Sequence, residues 1–107
     1  MSLRDRRCVP CEGGVMPLFR QKAEAFLKEI SGWELSQNAK KITKPFAFKN
    51  FKDALAFANR VGDIAEAEGH HPDLHVAWGK VVVELSTHAI GGLSENDFIL
   101  AAKIDSL

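Results

Sequence analysis

The histidines of this chain are grouped in one stretch of sequence. All 4 of them lie between positions 70 and 88, as His70, His71, His75 and His88. Imidazole groups titrate near neutral pH, so two that lie close together can donate one proton and accept another. The grouping points to acid–base chemistry, such as an elimination in which one proton is delivered and another is removed.

A β-hairpin is predicted to carry most of this group. In Leu74–Trp78 the large apolar residues occupy every second position, which predicts a strand. Val81–Thr87 follows as its partner strand. Gly79-Lys80 lies between them and suits a tight two-residue turn. The position of this turn fixes which residues of the two strands lie opposite each other.

This register predicts that His71 lies opposite His88 at the open end of the hairpin. His75 then lies opposite Glu84 as a simple cross-strand polar pair, and it is left out of the candidate site. Side chains alternate between the two faces of a strand. The polar face is expected to hold His71, Asp73, His75, Glu84, Ser86 and His88. The face turned to the helices is expected to hold Leu74, Val76, Trp78, Val81, Val83 and Leu85.

Metal and redox sites are the alternatives to acid–base chemistry. His71 and His75 have the spacing of zinc ligands on a helix, but Pro72 disfavours a helix there. On a strand the two would stand roughly 13 Å apart, too far to share one ion. Cys8 and Cys11 form a CxxC pair without a second pair or a preceding strand, so we expect them to lie in a flexible N-terminal arm. No metal site is predicted.

Three helices are predicted around the hairpin. The first spans Pro17–Ile30, with Pro17 at its first position. The second spans Phe51–Glu68 after the capping residue Asn50, and the third follows the capping pair Ser94 and Asp97. The apolar stripe of the second helix is read as Phe51, Ala54, Leu55, Ala58, Val61 and Ala65.

Two further strands precede the second helix, at Trp33–Leu35 and Lys41–Phe48. Pro45 in the longer one indicates a sheet edge or a bulge. The element order is then α-β-β-α-β-β-α, without the crossovers of a parallel sheet. We therefore expect an α+β fold in which three helices pack on one face of a four-stranded antiparallel sheet.

Composition limits the remaining classes. Fourteen Lys and Arg balance 14 Asp and Glu, so no charge excess favours nucleic acid or anionic lipid. No apolar run approaches the roughly 20 residues of a membrane helix, and no secretory signal is visible. The expectation is a single cytoplasmic domain over residues 17–107 that follows a flexible arm over residues 1–16.

A signature in this stretch resembles the pterin-4a-carbinolamine dehydratase family. The matching pattern is Glu66-x3-His70-His71-Pro72-x5-Trp78-x9-His88-x8-Asp97. The Leu85–His88 and Gly92–Asp97 stretches, Trp33 and the Lys44-x-Phe46-x-Phe48 strand also resemble the family. The likeness extends from about Pro17 to the C-terminus.

The resemblance implies an activity and a set of site residues. Members dehydrate 4a-hydroxytetrahydropterin to quinonoid dihydropterin, without a metal or an organic cofactor, and recycle the pterin for aromatic amino-acid hydroxylases. The implied catalytic residues are His70, His71 and His88. The implied substrate-binding residues are Glu66, Gly69, Ser86, Thr87, Trp78 and Asp97. We expect His71 and His88 to be the acid–base pair, and His70 and Glu66 to position or tune them.

The resemblance also bears on partners. Family members form dimers or tetramers, so a homodimer or homotetramer is expected here, with a pterin as the small-molecule substrate and no nucleic acid or membrane partner. Two other functions stay open. One is a binding module, since an animal member serves as a dimerisation cofactor for a homeodomain transcription factor, and the other is a metal-binding protein. Neutral charge and a leader similar to that of bacterial-type members disfavour the binding module.

Overall fold

The computed structural model describes residues 2–9 and 16–107. Within them the main elements are three helices and four strands, in the predicted order. They are α1 (Arg20–Leu27), β1 (Glu34–Leu35), β2 (Ile42–Ala47), α2 (Phe51–Glu68), β3 (Asp73–Ala77), β4 (Lys80–Leu85) and α3 (Glu95–Asp105). The strands form one antiparallel sheet in the order β1-β2-β4-β3, which confirms the predicted α+β fold.

The core lies between one face of the sheet and the helices. Alternate residues of β4 are buried, with Val81, Val83 and Leu85 fully enclosed. Helix α3 supplies Phe98 and Leu100 from above the sheet. None of the helices in the described ranges is long and apolar enough to cross a membrane.

Helix α1 is shorter than the sequence predicts. It begins at Arg20, because the preceding segment bonds to the loop before α3, where the backbone N–H of Leu18 donates to the carbonyl of Leu93 at 2.9 Å. Pro17 is therefore not the first helical residue. Phe19, expected on the buried stripe, is 75% exposed, so the predicted start of the helix was wrong.

Helix α2 has the predicted bounds and buries most of the predicted stripe, with Phe57 in place of Phe51 and Leu55. The Asn50 side chain caps it by accepting from the backbone of Asp53 at 2.8 Å. Phe51 and Leu55, predicted as buried, are largely exposed, whereas Phe57 is buried. The reason is an aromatic cluster in which the Phe57 ring lies 4.7 Å from Phe46 and 5.0 Å from Phe48. The remaining predicted stripe is buried as Ala54, Ala58, Val61 and Ala65.

Pro45 lies at a locally open edge, as its residue type predicts. It pairs with Val82 of β4 in an unbroken register, so no bulge is present. On the other side β1 pairs only with Ile42 and Thr43. The missing N–H of the proline therefore costs the ladder no hydrogen bond to a neighbouring strand.

The β3–β4 turn corrects the predicted hairpin register. The turn residues are Trp78 and Gly79, so Ala77 rather than Trp78 is the last paired residue of β3, opposite Lys80. Gly79 has φ +74°, which suits glycine at this second turn position. The shift amounts to two residues, and since side chains alternate with period two, the face assignment within the strands is kept.

Two residues change position because of this shift. Trp78, predicted to face the helices, is 74% exposed on the turn. His75 lies opposite Val82 rather than Glu84. Its Nε2 still lies 3.2 Å from Oε2 of Glu84, now as a diagonal neighbour, so the expected polar pair is present despite the wrong register.

Residues 2–9 form a segment that we call the N-terminal strap. The Leu3 side chain is 2% exposed and belongs to the core, and Arg6 forms an ion pair with Glu95 at the start of α3. This packed position differs from the flexible arm expected over residues 1–16. The segment that contains Cys11 lies outside the described residues.

Candidate active site

His70 is held in a buried pair with Asp97. Gly69 ends α2 in the left-handed conformation, with φ +67°, and the His70 backbone N–H returns to the carbonyl of Ala65 at 3.2 Å. The His70 Nε2 then lies 2.6 Å from Oδ1 of Asp97. The side chains are 11% and 0% exposed, so this hydrogen bond is shielded from water.

The second oxygen of Asp97 closes the start of α3. Oδ2 accepts from the backbone of Ser94 at 3.0 Å and from the Thr87 hydroxyl at 2.8 Å. The Ser94 and Thr87 hydroxyls also contact each other at 2.7 Å. Ser94 and Asp97 form a capping box, which confirms the predicted capping pair.

This network includes Asp97 and Thr87, two residues that are expected to bind substrate. Asp97 has no exposed surface, and Thr87 is 4% exposed with its backbone bonded to Gly92. The resemblance implied that both bind substrate. In the structure their side chains bond to His70, to Ser94 and to each other, and the implied substrate-binding role of both stays a prediction.

His71 lies beside His70 in sequence but points to solvent. Its Nε2 contacts Oε2 of Glu66, one turn before the end of α2. The two side chains are 61% and 78% exposed. A carboxylate bonded to one ring nitrogen fixes the orientation of the imidazole and leaves its other nitrogen for proton transfer.

His88 is the third member, and its position differs from the predicted one. Strand β4 ends at Leu85, and His88 begins a 3₁₀ turn that extends to Ile90, so it has no ladder partner. Its Nε2 lies 3.9 Å from Oδ2 of Asp73. The expected pairing with His71 is wrong, and in the described ranges no hydrogen bond joins two imidazoles.

Asp73 is the site residue that the sequence interpretation missed. It is the first residue of β3, two positions after His71, and its carboxylate approaches His88. The polar-face assignment already contained Asp73, but the 3₁₀ turn that brings His88 to it has no clear sequence signal. Asp73 therefore lies two residues from His71 in the chain and contacts His88, so it is close to both exposed histidines of the signature.

A shallow cavity adjoins His88. Its volume is about 300 Å³, at the small end of the usual range for ligand sites. The lining residues come from the segment after β4 and from the β1–β2 loop. They are Ser86, His88, Gly91, Gly92, Asn38, Lys40 and Lys41. Ser86, which the resemblance assigns to substrate binding, thus lies on the lining of this cavity.

Trp78 is not brought to this site within one chain. It lies at the turn end of β3, five residues beyond Asp73, which corresponds to about 16 Å along an extended strand. Gly69, in contrast, is exposed and lies directly before the two adjacent histidines. The site of a single chain therefore consists of the open end of the hairpin and the end of α2.

Metal ligation finds no support in the side chains that can be located. Across residues 2–9 and 16–107, no three His, Cys, Asp or Glu side chains are arranged to hold an ion. Cys8 is half-buried, and its Sγ lies 3.6 Å from the carbonyl of Asn96. Burial, reinforced by the nearby Glu68 carboxylate, raises the pKa of the Cys8 thiol to about 12. A thiol of this kind is a poor ligand and a poor nucleophile at neutral pH.

The fold and the carboxylate partners of the three signature histidines define a small α+β protein with a candidate acid–base site. The profile of one family, pterin 4 alpha carbinolamine dehydratase, matches residues 16–107. The chain belongs to this family. The match begins one residue before the domain boundary expected from the sequence.

Relatives from two bacteria match over nearly the whole chain. A protein of Halorhodospira halophila is 54% identical over 107 residues, which is 100% of this chain and 98% of the relative. A protein of Methylococcus capsulatus is 51% identical over 106 residues, covering 99% of this chain and 93% of the relative. Both are provisionally named pterin-4-alpha-carbinolamine dehydratases.

Solved structures share the fold. A Brucella melitensis protein described as a transcriptional coactivator/pterin dehydratase is 31% identical with a TM-score of 0.78, covering 84% of this chain and 96% of that chain. A pterin dehydratase-like protein described as a RuBisCO assembly factor in the alpha-carboxysome is 22% identical with a TM-score of 0.60, covering 70% and 87%. At that identity the second likeness concerns the fold alone.

Proposed function

We propose that this protein catalyses the dehydration of 4a-hydroxytetrahydropterin to quinonoid dihydropterin and water. The observation that carries the proposal is the pairing of each signature histidine with a carboxylate: His70 with Asp97, His71 with Glu66 and His88 with Asp73. Membership in the dehydratase family supplies the substrate class.

The proposed reaction needs two proton transfers and no change in oxidation state. The substrate carries a hydroxyl on carbon 4a next to a ring nitrogen that bears a proton. One imidazolium donates a proton to the departing hydroxyl, the carbon–oxygen bond breaks, and a neutral imidazole removes the proton from the ring nitrogen. The electron pair of that N–H bond forms the new C=N bond, and water leaves.

We assign this work to His71 and His88, because they are the exposed members. A pterin could approach both from the open end of the hairpin, and the cavity beside His88 offers space for part of it. Glu66 and Asp73 orient the two imidazoles. His70 is nearly enclosed and pairs with Asp97, so we assign it to positioning the start of the His-His-Pro segment.

The assay is the loss of freshly prepared 4a-hydroxytetrahydropterin, followed by absorbance with and without the protein. The proposal requires that catalysis survive exhaustive treatment with a chelator. Activity that disappears on chelation and returns with added zinc would contradict the unassisted acid–base mechanism.

An interaction role is the second candidate, because the Brucella melitensis structure is described as both a coactivator and a dehydratase. If that role replaces catalysis, the protein should bind its partner and show no turnover above the uncatalysed rate. Balanced charge offers no electrostatic attraction to nucleic acid, so such a partner would be a protein. The dehydratase proposal, in contrast, includes a functional link to an aromatic amino-acid hydroxylase. It also includes a cytoplasmic location.

Assembly is also part of the proposal. We expect a homodimer or homotetramer, because one sheet face carries no helices and β3 leaves a strand edge open. The chain has a mass of 11.8 kDa, so light scattering should give about twice or four times that value at micromolar concentration. A monomer mass would reject this part.

A further inference from the structure

The N-terminal strap bonds to residues that adjoin the buried His70–Asp97 pair. The backbone N–H of Cys8 donates to Oε1 of Glu68 at 2.9 Å. The backbone N–H of Val9 donates to Oδ1 of Asn96 at 2.9 Å, and the Asn96 amide donates back to the Val9 carbonyl. The strap thereby bonds to α2 through one acceptor and to α3 through a reciprocal pair.

These contacts close a ring of hydrogen bonds. Glu68 lies two residues before His70, and Asn96 comes directly before Asp97. Going round the ring, the strap joins the end of α2 to the start of α3, and the imidazole–carboxylate bond joins them again. The Glu68 side chain is 10% exposed and Asn96 is 3% exposed, so water competes little for these bonds.

The strap is anchored at its other end as well. Leu3 is buried in the core, and the Lys103 ammonium donates to the carbonyl of Arg4 at 2.9 Å. The same ammonium lies 3.7 Å from Oε2 of Glu68. Glu68 thus meets the strap with one carboxylate oxygen and the Lys103 side chain with the other. The segment is held at both ends, and Glu68 is the residue that both sets of contacts share.

We propose that the strap is a positioning element for His70, with Glu68 and Asn96 as the positioning residues. By fixing the end of α2 against the start of α3, it sets the direction from which the imidazole meets Asp97. Any catalytic consequence rests on the proposed dehydratase function, but the effect on the imidazole does not. The strap therefore belongs to the site architecture although no strap residue touches a reacting group.

The test compares four single variants of the full chain. Glu68→Ala removes the acceptor for Cys8, whereas Glu68→Gln keeps a carbonyl oxygen that can accept the same bond but removes the charge. Val61→Ala is the matched stability control, because Val61 is fully buried on the same helix and lies away from the strap contacts. Asn96→Ala tests the other side of the ring.

The first readout is the imidazole cross-peak of His70 in a ¹H–¹³C correlation spectrum, assigned by its loss in His70→Gln. We expect Glu68→Ala and Asn96→Ala to move this peak, Glu68→Gln to leave it close to the wild-type position, and Val61→Ala to lower the melting temperature without moving it. An unmoved peak in Glu68→Ala would overturn the proposal. An equal shift in Val61→Ala or in Glu68→Gln would also overturn it, because general destabilisation or charge would then explain the effect.

The second readout is turnover. Glu68→Ala should lower kcat by about 10-fold with KM little changed, well below the ~100-fold that a 1 Å misplacement can cost, and Glu68→Gln should recover most of it. If the wild-type protein shows no turnover, the proposed function fails, but the spectral comparison still decides the role of the strap. Turnover that falls equally in Glu68→Ala and Val61→Ala would remove the strap from the site.

Discussion

His70 and His71 are adjacent in the chain, yet the structure gives them opposite surroundings. His70 is 11% exposed and bonded to a carboxylate that is fully buried, whereas His71 is 61% exposed and bonded to a carboxylate on the surface. The buried pair connects two helices and a capping box. The exposed pair, as far as residues 2–9 and 16–107 show, joins only the end of α2 to the segment that follows it. The difference is the basis for our proposal that the first imidazole organises the site and that the second, with His88, transfers protons.

The largest effect on activity should come from substitutions of the exposed histidines, His71 and His88. His71→Ala and His88→Ala should each lower kcat/KM by at least ~100-fold, because a positioned acid or base contributes ~10²–10⁴-fold. Thermal unfolding should change little, since both side chains lie on the surface. The double variant should lose much less than the product of the two single losses, because both groups act in one step.

His75→Ala is the matched control for these variants. It is an exposed histidine on the same sheet face, paired with Glu84, but it lies outside the signature. Its rate should stay within a few-fold of wild type. A His75→Ala protein as inactive as His71→Ala would show that the site has been drawn too narrowly.

Substitutions in the buried His70–Asp97 pair should instead lower the stability of the protein. Asp97→Ala removes the acceptor shared by His70, Thr87 and Ser94, and should lower the free energy of unfolding by about 3 kcal/mol. Chemical denaturation monitored by circular dichroism measures this. Asp63→Ala, an exposed change on α2, should cost less than about 0.5 kcal/mol. Equal losses in the two variants would mean that the buried network contributes nothing.

Gly69 ends α2 directly before His70 and His71, so substitutions there test the helix end that positions both histidines. Gly69→Ala introduces a Cβ at φ +67° with no neighbour within 4 Å, so strain alone should cost about 1 kcal/mol. Gly62→Ala is the same substitution inside α2, also with open space around it. There it should stabilise the protein by roughly 0.5–1 kcal/mol. Denaturation midpoints that move in the same direction would contradict this account of the helix end.

The last effect is confined to alkaline pH and concerns Cys8 on the strap. Its pKa is raised to about 12 from the usual 9.0, first by burial and then by Glu68. The folded state therefore holds the thiol proton more tightly than the unfolded state. The resulting stabilisation is complete below pH 9 and is lost as the pH rises towards 12. The difference in unfolding free energy between wild type and Cys8→Ala should accordingly shrink over that range. A constant difference would contradict the burial of the Cys8 thiol in the folded state.

Much of the fold was predictable because its signals are local. The cap at Asn50, the left-handed Gly69 and the capping box at Ser94 each depend on residues within one turn of each other. The hairpin was predicted with the right faces but the wrong register. Both possible turns contain Gly79, and the sequence does not say which turn position the glycine occupies.

The errors arose where distant residues decide the outcome. On helix α2 Phe57 is buried, and Phe51 and Leu55 are not, because Phe46 of β2 and Phe48 directly after it pack against Phe57. The strap was missed because Leu3, which anchors it in the core, is followed by four charged residues. The three signature histidines were identified from the motif, whereas Asp73 joins them only through the turn at His88.

Pro45 has a consequence for how this sheet can grow. The Lys41 carbonyl bonds towards β1 and the Phe48 N–H towards the β3–β4 turn. Since alternate residues point to opposite neighbours, the nitrogen of Pro45 faces the β1 side. A strand from a second molecule would meet a position there that cannot donate, whereas the β3 edge carries no proline. Addition of a strand beside β2 is thus disfavoured, whereas the β3 edge stays open, so growth of the sheet is favoured on one side over the other.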